Sequence, residues 1–171
     1  MDYRDGSEKV YIKHGEDFQS LGVYHKPIKY YEKRLKIAIE VGDRGGEGTA
    51  YGNLGNAYYS LGDYQKAIEY LEKSLKNPME IGNRGRDGGA YENLGIAYMS
   101  LGDYRKAIEY LEKFLKIVMQ IGDQCAEGRA HVNLGNAYQP LGDYRKAIEH
   151  HEKSLKIAIE IGDRSTEGRA Y

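Results

Sequence analysis

The chain has 171 residues and a formal net charge of −1, from 25 lysine and arginine residues against 26 aspartate and glutamate residues. So balanced a charge gives no electrostatic attraction to nucleic acid or to an anionic membrane surface, and neither is expected as a partner. A single cysteine, Cys125, excludes a disulfide framework and favours a reducing compartment. No apolar run approaches the roughly 20 residues that cross a bilayer, and the polar N-terminus is unlike a signal peptide. The sequence therefore predicts a soluble cytoplasmic protein.

The chain repeats itself with a period of 40 residues. A Leu-Gly pair marks this period from the N-terminal part of the chain to its C-terminal part. A fixed period of this size is typical of stacked-repeat proteins, because one helical unit cannot bury its apolar face alone. We therefore predict one solenoid domain over residues 1–171, which divides into a degenerate repeat 1 (3–42), repeat 2 (43–82), repeat 3 (83–122), repeat 4 (123–162) and the truncated start of repeat 5 (163–171).

Each repeat contains two predicted helices, as repeat 2 illustrates. A first apolar stripe with steps of three and four residues runs over 50–61, and a second runs over 64–79. Between them, Gly62 suits the left-handed position that ends a helix, and Asp63 suits the N-cap of the next helix. A connection as short as this predicts an antiparallel helix pair.

Three glycines, Gly55, Gly95 and Gly135, fall in the middle of the predicted first helices. Each costs a helix about 1 kcal/mol relative to alanine, and a cost that recurs needs a structural reason. Gly55 lies on the apolar side of its helix. We therefore expect its missing side chain to let the partner helix, which carries Ala67, approach closely.

The stretch NLGNAYYSLGDYQKAIEYLEKSL of repeat 2 resembles the tetratricopeptide repeat in its small, large and turn positions. It departs from that pattern in two ways. The large aromatic near the start of the first helix is Tyr51, Tyr91 or His131 instead of tryptophan, and the period is 40 residues instead of about 34. The longer unit resembles the Pins-type G-protein-signalling modulators and related long arrays. The resemblance implies an all-α fold, an α-α superhelix of antiparallel helix pairs, and a protein-binding function.

In this family the first helix of each repeat lines a concave groove, so the resemblance implies which side chains meet a partner peptide. One asparagine recurs per repeat, and its amide can both donate to and accept from a peptide backbone. Variable positions are expected to select the ligand, with Arg129 pairing to an acidic side chain. The predicted peptide-binding residues are Asn53, Asn56, Tyr59, Asn93, Met99, Arg129, Asn133 and Asn136.

Other interpretations stay open. The recurring asparagines can also be solvated or capping residues, in which case the repeats are a structural spacer in a larger assembly and the groove stays empty. A third function is a Pins-like adaptor in cell polarity and spindle orientation, although the segments that bind G-protein subunits in that family have no counterpart in the sequence. The last repeat stops within a predicted helix, which predicts an apolar face over 144–161 that is partly uncovered. We therefore expect either that the chain is a piece of a longer array or that it self-associates through this end.

No motif predicts catalysis, a metal site or a cofactor. In the stretch HHEK, His150 and His151 point about 100° apart on a helix, and His131 is not expected to converge with either. The glycine-rich stretch 42–55 follows a helix and lacks the Gly-Lys-Ser/Thr of a phosphate-binding loop. We therefore expect a protein that is not an enzyme and that needs no cofactor.

Overall fold

The computed structural model describes residues 25–76 and 84–167 of the chain. These residues contain helices and short turns and no strand, which confirms the predicted all-α fold. The chain divides into two compact units, residues 1–83 and 84–171. Unit 1 contains α1 (His25–Val41), α2 (Arg44–Ser60) and α3 (Tyr64–Lys76), and unit 2 contains α4 (Arg84–Leu101), α5 (Tyr104–Ile121), α6 (Gln124–Tyr138), a 3-10 turn (Gln139–Leu141) and α7 (Tyr144–Glu167).

The two helices of a repeat are joined by a Gly-Asp turn, as the sequence predicts. Gly62 has a φ of +80°, in the left-handed region that residues with a side chain rarely adopt. The carboxylate of Asp63 accepts a hydrogen bond of 3.2 Å from the backbone N–H of Lys66 and so caps α3. Gly102 and Asp103 form the same turn between α4 and α5. The turn residues therefore set where each helix ends and where its partner begins.

In unit 1, α2 packs against both α1 and α3. Leu54 on the inner face of α2 lies in one buried cluster with Ile28 and Tyr31 of α1. The buried guanidinium of Arg34 adds a polar link between the same two helices, because its Nη1 donates to the carbonyl oxygen of Gly46 at 2.8 Å. The first helix of repeat 2 is thus shared between its own partner helix and the helix that precedes it, as stacking requires.

In unit 2, two buried clusters hold α5 against α6. Because α5 closes repeat 3 and α6 opens repeat 4, consecutive repeats share one core, and α7 completes it by packing on α6. The members of the two clusters are Phe114, Val118, Ala126 and Ala130, and Leu111, Leu134 and Ala137, respectively.

The mid-helix glycines lie where a side chain of the partner helix packs directly against the helix backbone. A Cβ atom added to Gly55 would lie 2.6 Å from Cγ of Leu71 and 3.1 Å from the carbonyl oxygen of Ala67. A Cβ atom added to Gly95 would lie 2.5 Å from Cγ of Leu111. Since carbon atoms in contact are ordinarily about 3.5–4.0 Å apart, the predicted packing role of these glycines is confirmed.

The division into repeats stays a prediction, and the boundary between repeats 4 and 5 differs from the boundaries at Gly42 and Gly122. Gly42 and Gly122 have left-handed φ values of 71° and 74° and lie at the ends of α1 and α5. Gly162 occupies the equivalent sequence position, yet it lies inside α7, which continues to Glu167. A glycine permits a helix to end, but the packing of the next helix also helps to determine where it ends. The glycine at position 162 is therefore not enough to end α7. The first half of repeat 1 lies outside the described residues.

Candidate functional site

A cavity of about 570 Å³, the unit 2 groove, opens between α4, α6 and α7. Most of its lining surface is apolar. Side chains from both repeats of this unit contribute to it, so the cavity depends on how α4, α6 and α7 are stacked. Its lining includes Glu92 and Ile96 of α4, Arg129, Val132 and Asn133 of α6, and Ile157 of α7.

Two of the predicted peptide-binding residues, Arg129 and Asn133, meet at this groove. Asn93 of α4 is half-buried and Asn136 of α6 is exposed, and neither belongs to the lining. Met99 is half-buried because it packs against the core cluster of α5 and α6, so part of its side chain serves the fold. Ile157 was not predicted as a site residue, because the resemblance assigns the groove to first helices and Ile157 lies on a second helix.

The remaining predicted residues, Asn53, Asn56 and Tyr59, are half-buried on α2 of unit 1. The ring of Tyr59 lies 5.4 Å from the ring of Tyr64 at the start of α3, measured between centroids. A continuous asparagine ladder that includes Asn53 therefore remains a prediction, as do the binding roles of all these residues.

An ion pair connects repeats 3 and 4 beside the groove. Nε of Arg129 lies 3.2 Å from Oε1 of Glu92, and Nη2 lies 3.4 Å from Oε2, which is a two-pronged contact. The hydrogen bond to Glu92 raises the pKa of Arg129. Two of the five N–H donors of the guanidinium are used in this way, while the Arg129 side chain stays 58% exposed and that of Glu92 only 15%. An anionic ligand group can therefore reach Arg129 without breaking the pair.

The structure also brings together two histidines, so the expectation that His131 converges with no other histidine is wrong. Nδ1 of His131 on α6 lies 2.9 Å from Nδ1 of His150 on α7. At this distance one ring donates a hydrogen bond and the other accepts it. Tyr91 and Tyr110, also 19 residues apart, form the equivalent ring contact in repeat 3. That shared spacing relates the two pairs, but it has this meaning only once the contact in repeat 3 is known from the structure.

The surroundings of this pair favour the neutral form of both imidazoles, because they lower both pKa values. Burial lowers the pKa of His131, and the nearby charge of Lys153 lowers it further. Burial also lowers the pKa of His150, with further lowering from His131 and Lys153. Glu149 acts in the opposite direction on both rings, although its carboxylate is bonded to Lys153 at 2.6 Å.

We expect the free energy of unfolding to fall as the pH drops from 7 to 5, and part of the fall to come from this pair. The pKa of each ring is lower in the folded protein than the value of about 6.5 in the unfolded chain, so the unfolded chain binds more protons. The stabilisation is complete above the unfolded pKa and is lost as the pH falls through the lowered native pKa. Urea unfolding at several pH values measures it.

The matched variant is His131→Tyr with His150→Tyr, which restores the residues of repeat 3. The other titratable groups near the pair, on both helices, remain in place in this variant, so the difference between the two pH profiles isolates the two imidazoles. Parallel profiles would contradict the prediction. These retained groups are Glu127, Glu149, His151, Lys153, Lys156 and Glu160.

In the part of the chain that the structure covers, no helix is both long enough and apolar enough to cross a membrane. A comparison with curated proteins gives no match.

Solved structures share the fold of this chain at low sequence identity. BtubC (BKLC) from P. vanneervenii has a TM-score of 0.87 and 24% identity, over 95% of this chain and 67% of its own. A Rap protein complexed with Competence and Sporulation Factor has a TM-score of 0.81 and 22% identity, over 96% of this chain and 45% of its own. Nearly identical TPR-like repeats of a kinesin-light-chain type from Podosopora anserina have a TM-score of 0.78 and 20% identity, over 94% of this chain and 78% of their own.

Identities this low show the fold alone, and the chain spans less than half of the Rap protein. Sequence similarity to a family is more direct. The profile of the tetratricopeptide repeat matches residues 7–78 and 88–167. These two segments contain α1 to α7 almost completely, and the Gly-Asp turns and close-packed glycines described above lie within them. The chain therefore belongs to the tetratricopeptide repeat family.

Proposed function

We propose that the chain binds an extended or short helical segment of a partner protein, and that the unit 2 groove receives an apolar side chain of that segment. The observation that carries this proposal is a largely apolar cavity of about 570 Å³ with Arg129 and Asn133 in its lining. Ligand pockets in proteins generally have volumes of about 300–1,000 Å³ and combine apolar walls with a few polar groups. The groove has both properties.

Each part of the groove fits one part of a peptide. Burial of an aliphatic or aromatic side chain against Ile96, Val132 and Ile157 contributes about 1.5–3 kcal/mol. The amide of Asn133 suits a backbone N–H or C=O group, and Arg129 suits a neighbouring acidic side chain. The Rap protein with this fold, solved with Competence and Sporulation Factor, supports a binding function for the present chain.

A peptide-display selection against the purified chain tests the proposal. We expect recurrent sequences in which an apolar residue stands close to an acidic one. The variant Asn133→Ala with Arg129→Gln should fail to enrich them. The control Glu152→Ala alters an exposed residue of α7 that neither lines the groove nor belongs to the predicted peptide-binding residues, and it should enrich the same sequences as the native chain.

Two outcomes would contradict the proposal. If the native chain enriches nothing although circular dichroism shows it folded, or if the groove variant enriches the same peptides, the alternative function of a structural spacer is favoured. The ion pair between Glu92 and Arg129 is the observation that favours a spacer, because a side chain predicted to face a ligand instead links two repeats. A Pins-like adaptor is a further candidate, based only on the resemblance of the repeat unit. No Pins-type protein is among the structures compared above.

We also propose that the chain associates with a second copy of itself through α7. Ile148 and Leu155 of this helix are 58% and 62% exposed. Their equivalents in α5, Ile108 and Leu115, are half-buried because they pack against the cluster that contains Leu134 of α6. An apolar face that the next helix covers in repeat 3 is thus open in repeat 4, and a second copy can cover it.

Sedimentation velocity over a concentration series measures this association. We expect the native chain to form a larger species as its concentration rises, and Ile148→Glu with Leu155→Glu to remain monomeric. Met119→Glu is the control, because Met119 is 57% exposed in α5 and its equivalent Ile159 is 55% exposed in α7. A native chain that stays monomeric throughout, or a control that also abolishes association, would contradict this interface.

A further inference from the structure

The two histidines of repeat 4, His131 and His150, occupy positions that are tyrosines in repeat 3. Tyr98 stacks on Tyr110 with a centroid distance of 5.4 Å and an interplanar angle of 7°. Tyr138 stacks on His150 in the same way, at 5.6 Å and 12°. Tyr138 thus covers one side of the His150 ring, while His131 contacts the ring from another side. Two imidazoles are therefore held side by side where repeat 3 has two phenols.

The separation of the two Nδ1 atoms suits a shared metal ion. Imidazole nitrogens bind transition metals at about 2.0–2.1 Å. Two such bonds at a right angle place their nitrogens about 3.0 Å apart, which is the angle of neighbouring ligands in a tetragonal or square-planar site. The observed separation is 2.9 Å. A tetrahedral zinc ion requires a wider separation, of about 3.4 Å, and so fits less well.

The protonation of the pair also suits a metal, because only a neutral imidazole binds one. The pKa of each ring is lowered by burial, as described above. Binding requires the proton that one Nδ1 contributes to the hydrogen bond to move to Nε2 of the same ring. Both Nδ1 lone pairs can then turn toward one ion.

A cavity of about 450 Å³ adjoins the pair and is lined by both rings. Glu127, one helical turn before His131 on the same face of α6, lines it too and adds negative charge. Lys153 and Lys156 also contribute to the lining. Each lysine has an acidic neighbour one turn away on α7, since Lys153 is bonded to Glu149 at 2.6 Å and Lys156 precedes Glu160 by four residues. At the two rings Glu149 offsets the charge of Lys153 only in part.

We propose that His131 and His150 form a two-imidazole site for a divalent transition metal of tetragonal preference, Cu²⁺ or Ni²⁺. Within the described residues, no three histidine, cysteine, aspartate or glutamate side chains are grouped to hold a metal ion. Water therefore completes the coordination sphere, and the ion is exchangeable. Copper binds more tightly than nickel, in agreement with the general order of divalent metal affinities.

Titration of CuSO₄ and NiCl₂ into the full chain tests the site. The titration uses a Cys125→Ser background, because the exposed thiol of Cys125 is itself a metal ligand. We expect one equivalent to bind with a visible absorption band and, for copper, a paramagnetic resonance spectrum with nitrogen couplings. His131→Tyr and His150→Tyr restore the tyrosines of repeat 3, and each should weaken binding about tenfold or more.

His151→Leu is the matched control, since it removes a neighbouring imidazole and restores the leucine of repeats 2 and 3. It should bind the metal as the background protein does. The site is excluded if either tyrosine variant binds with unchanged affinity and spectrum, or if His151→Leu abolishes binding. A background protein that shows no saturable binding of either ion would also overturn the proposal.

Discussion

Replacing Gly95 with alanine is expected to lower the free energy of unfolding by up to about 2 kcal/mol. The added methyl group would lie 2.5 Å from Cγ and 2.7 Å from Cδ2 of Leu111, and Leu111 is fully buried, so it has no room to move. Overpacking of a core costs about 1–3 kcal/mol or more, and the gain in helix propensity, about 1 kcal/mol, offsets only part of it. Urea unfolding followed by far-UV circular dichroism measures the loss.

Gly89→Ala is the matched control for this substitution. Gly89 lies on the same helix, α4, and a Cβ atom there would meet nothing within 4 Å. Alanine at this position should therefore stabilise the protein by up to about 1 kcal/mol. If Gly95→Ala is as stabilising as Gly89→Ala, the close approach of α4 and α5 is not what keeps residue 95 a glycine.

The second large effect is expected for Leu111→Ala, which should cost about 3 kcal/mol. Leu111 has no exposed surface and lies in the cluster with Leu134 and Ala137. Removal of its branch leaves a cavity between α5 and α6, and substitutions of this kind cost about 2–5 kcal/mol. The midpoint of urea unfolding should shift while the slope of the transition stays the same.

Leu155→Ala supplies the comparison, because it removes the same atoms from a side chain that is 62% exposed. In dilute protein its cost should stay within about 0.5 kcal/mol, as for most surface substitutions. Comparable losses for the two leucines would mean that the face of α7 is covered in solution even at low concentration. That result would contradict the exposure of α7 described here.

The turns and the close-packed glycines could be predicted from the sequence because each depends on local chemistry. Gly62 and Asp63 have the residue types that a helix end and the next helix start require, wherever they occur. Gly55 could be identified because a glycine in the middle of a helix has a cost that only a close neighbour explains. In both cases one repeat is enough to make the prediction.

The pairings between helices could not be predicted in this way. A repeat pattern assigns each residue to a position, but it does not show which two substituted positions meet. Arg129 was assigned to a ligand, although its nearest acidic partner is Glu92, 37 residues earlier. The contact of His131 with His150 was not predicted from the sequence for the same reason. Both pairs join residues on different helices, so the stacking of the helices determines them.

The stacked tyrosines give each unit its own optical signal. The chain contains 17 tyrosines and no tryptophan, so its near-ultraviolet spectrum is a tyrosine spectrum. Tyr58 and Tyr70 are nearly parallel in unit 1, at 2°, and Tyr98 and Tyr110 are nearly parallel in unit 2, at 7°. Such fixed ring pairs produce near-ultraviolet circular dichroism that vanishes when the rings become free to rotate. Replacing the tyrosines of one stack with phenylalanine would remove the circular dichroism signal of that stack and keep the signal of the other. Thermal melts of the two variants would then show whether the two units unfold together or in succession.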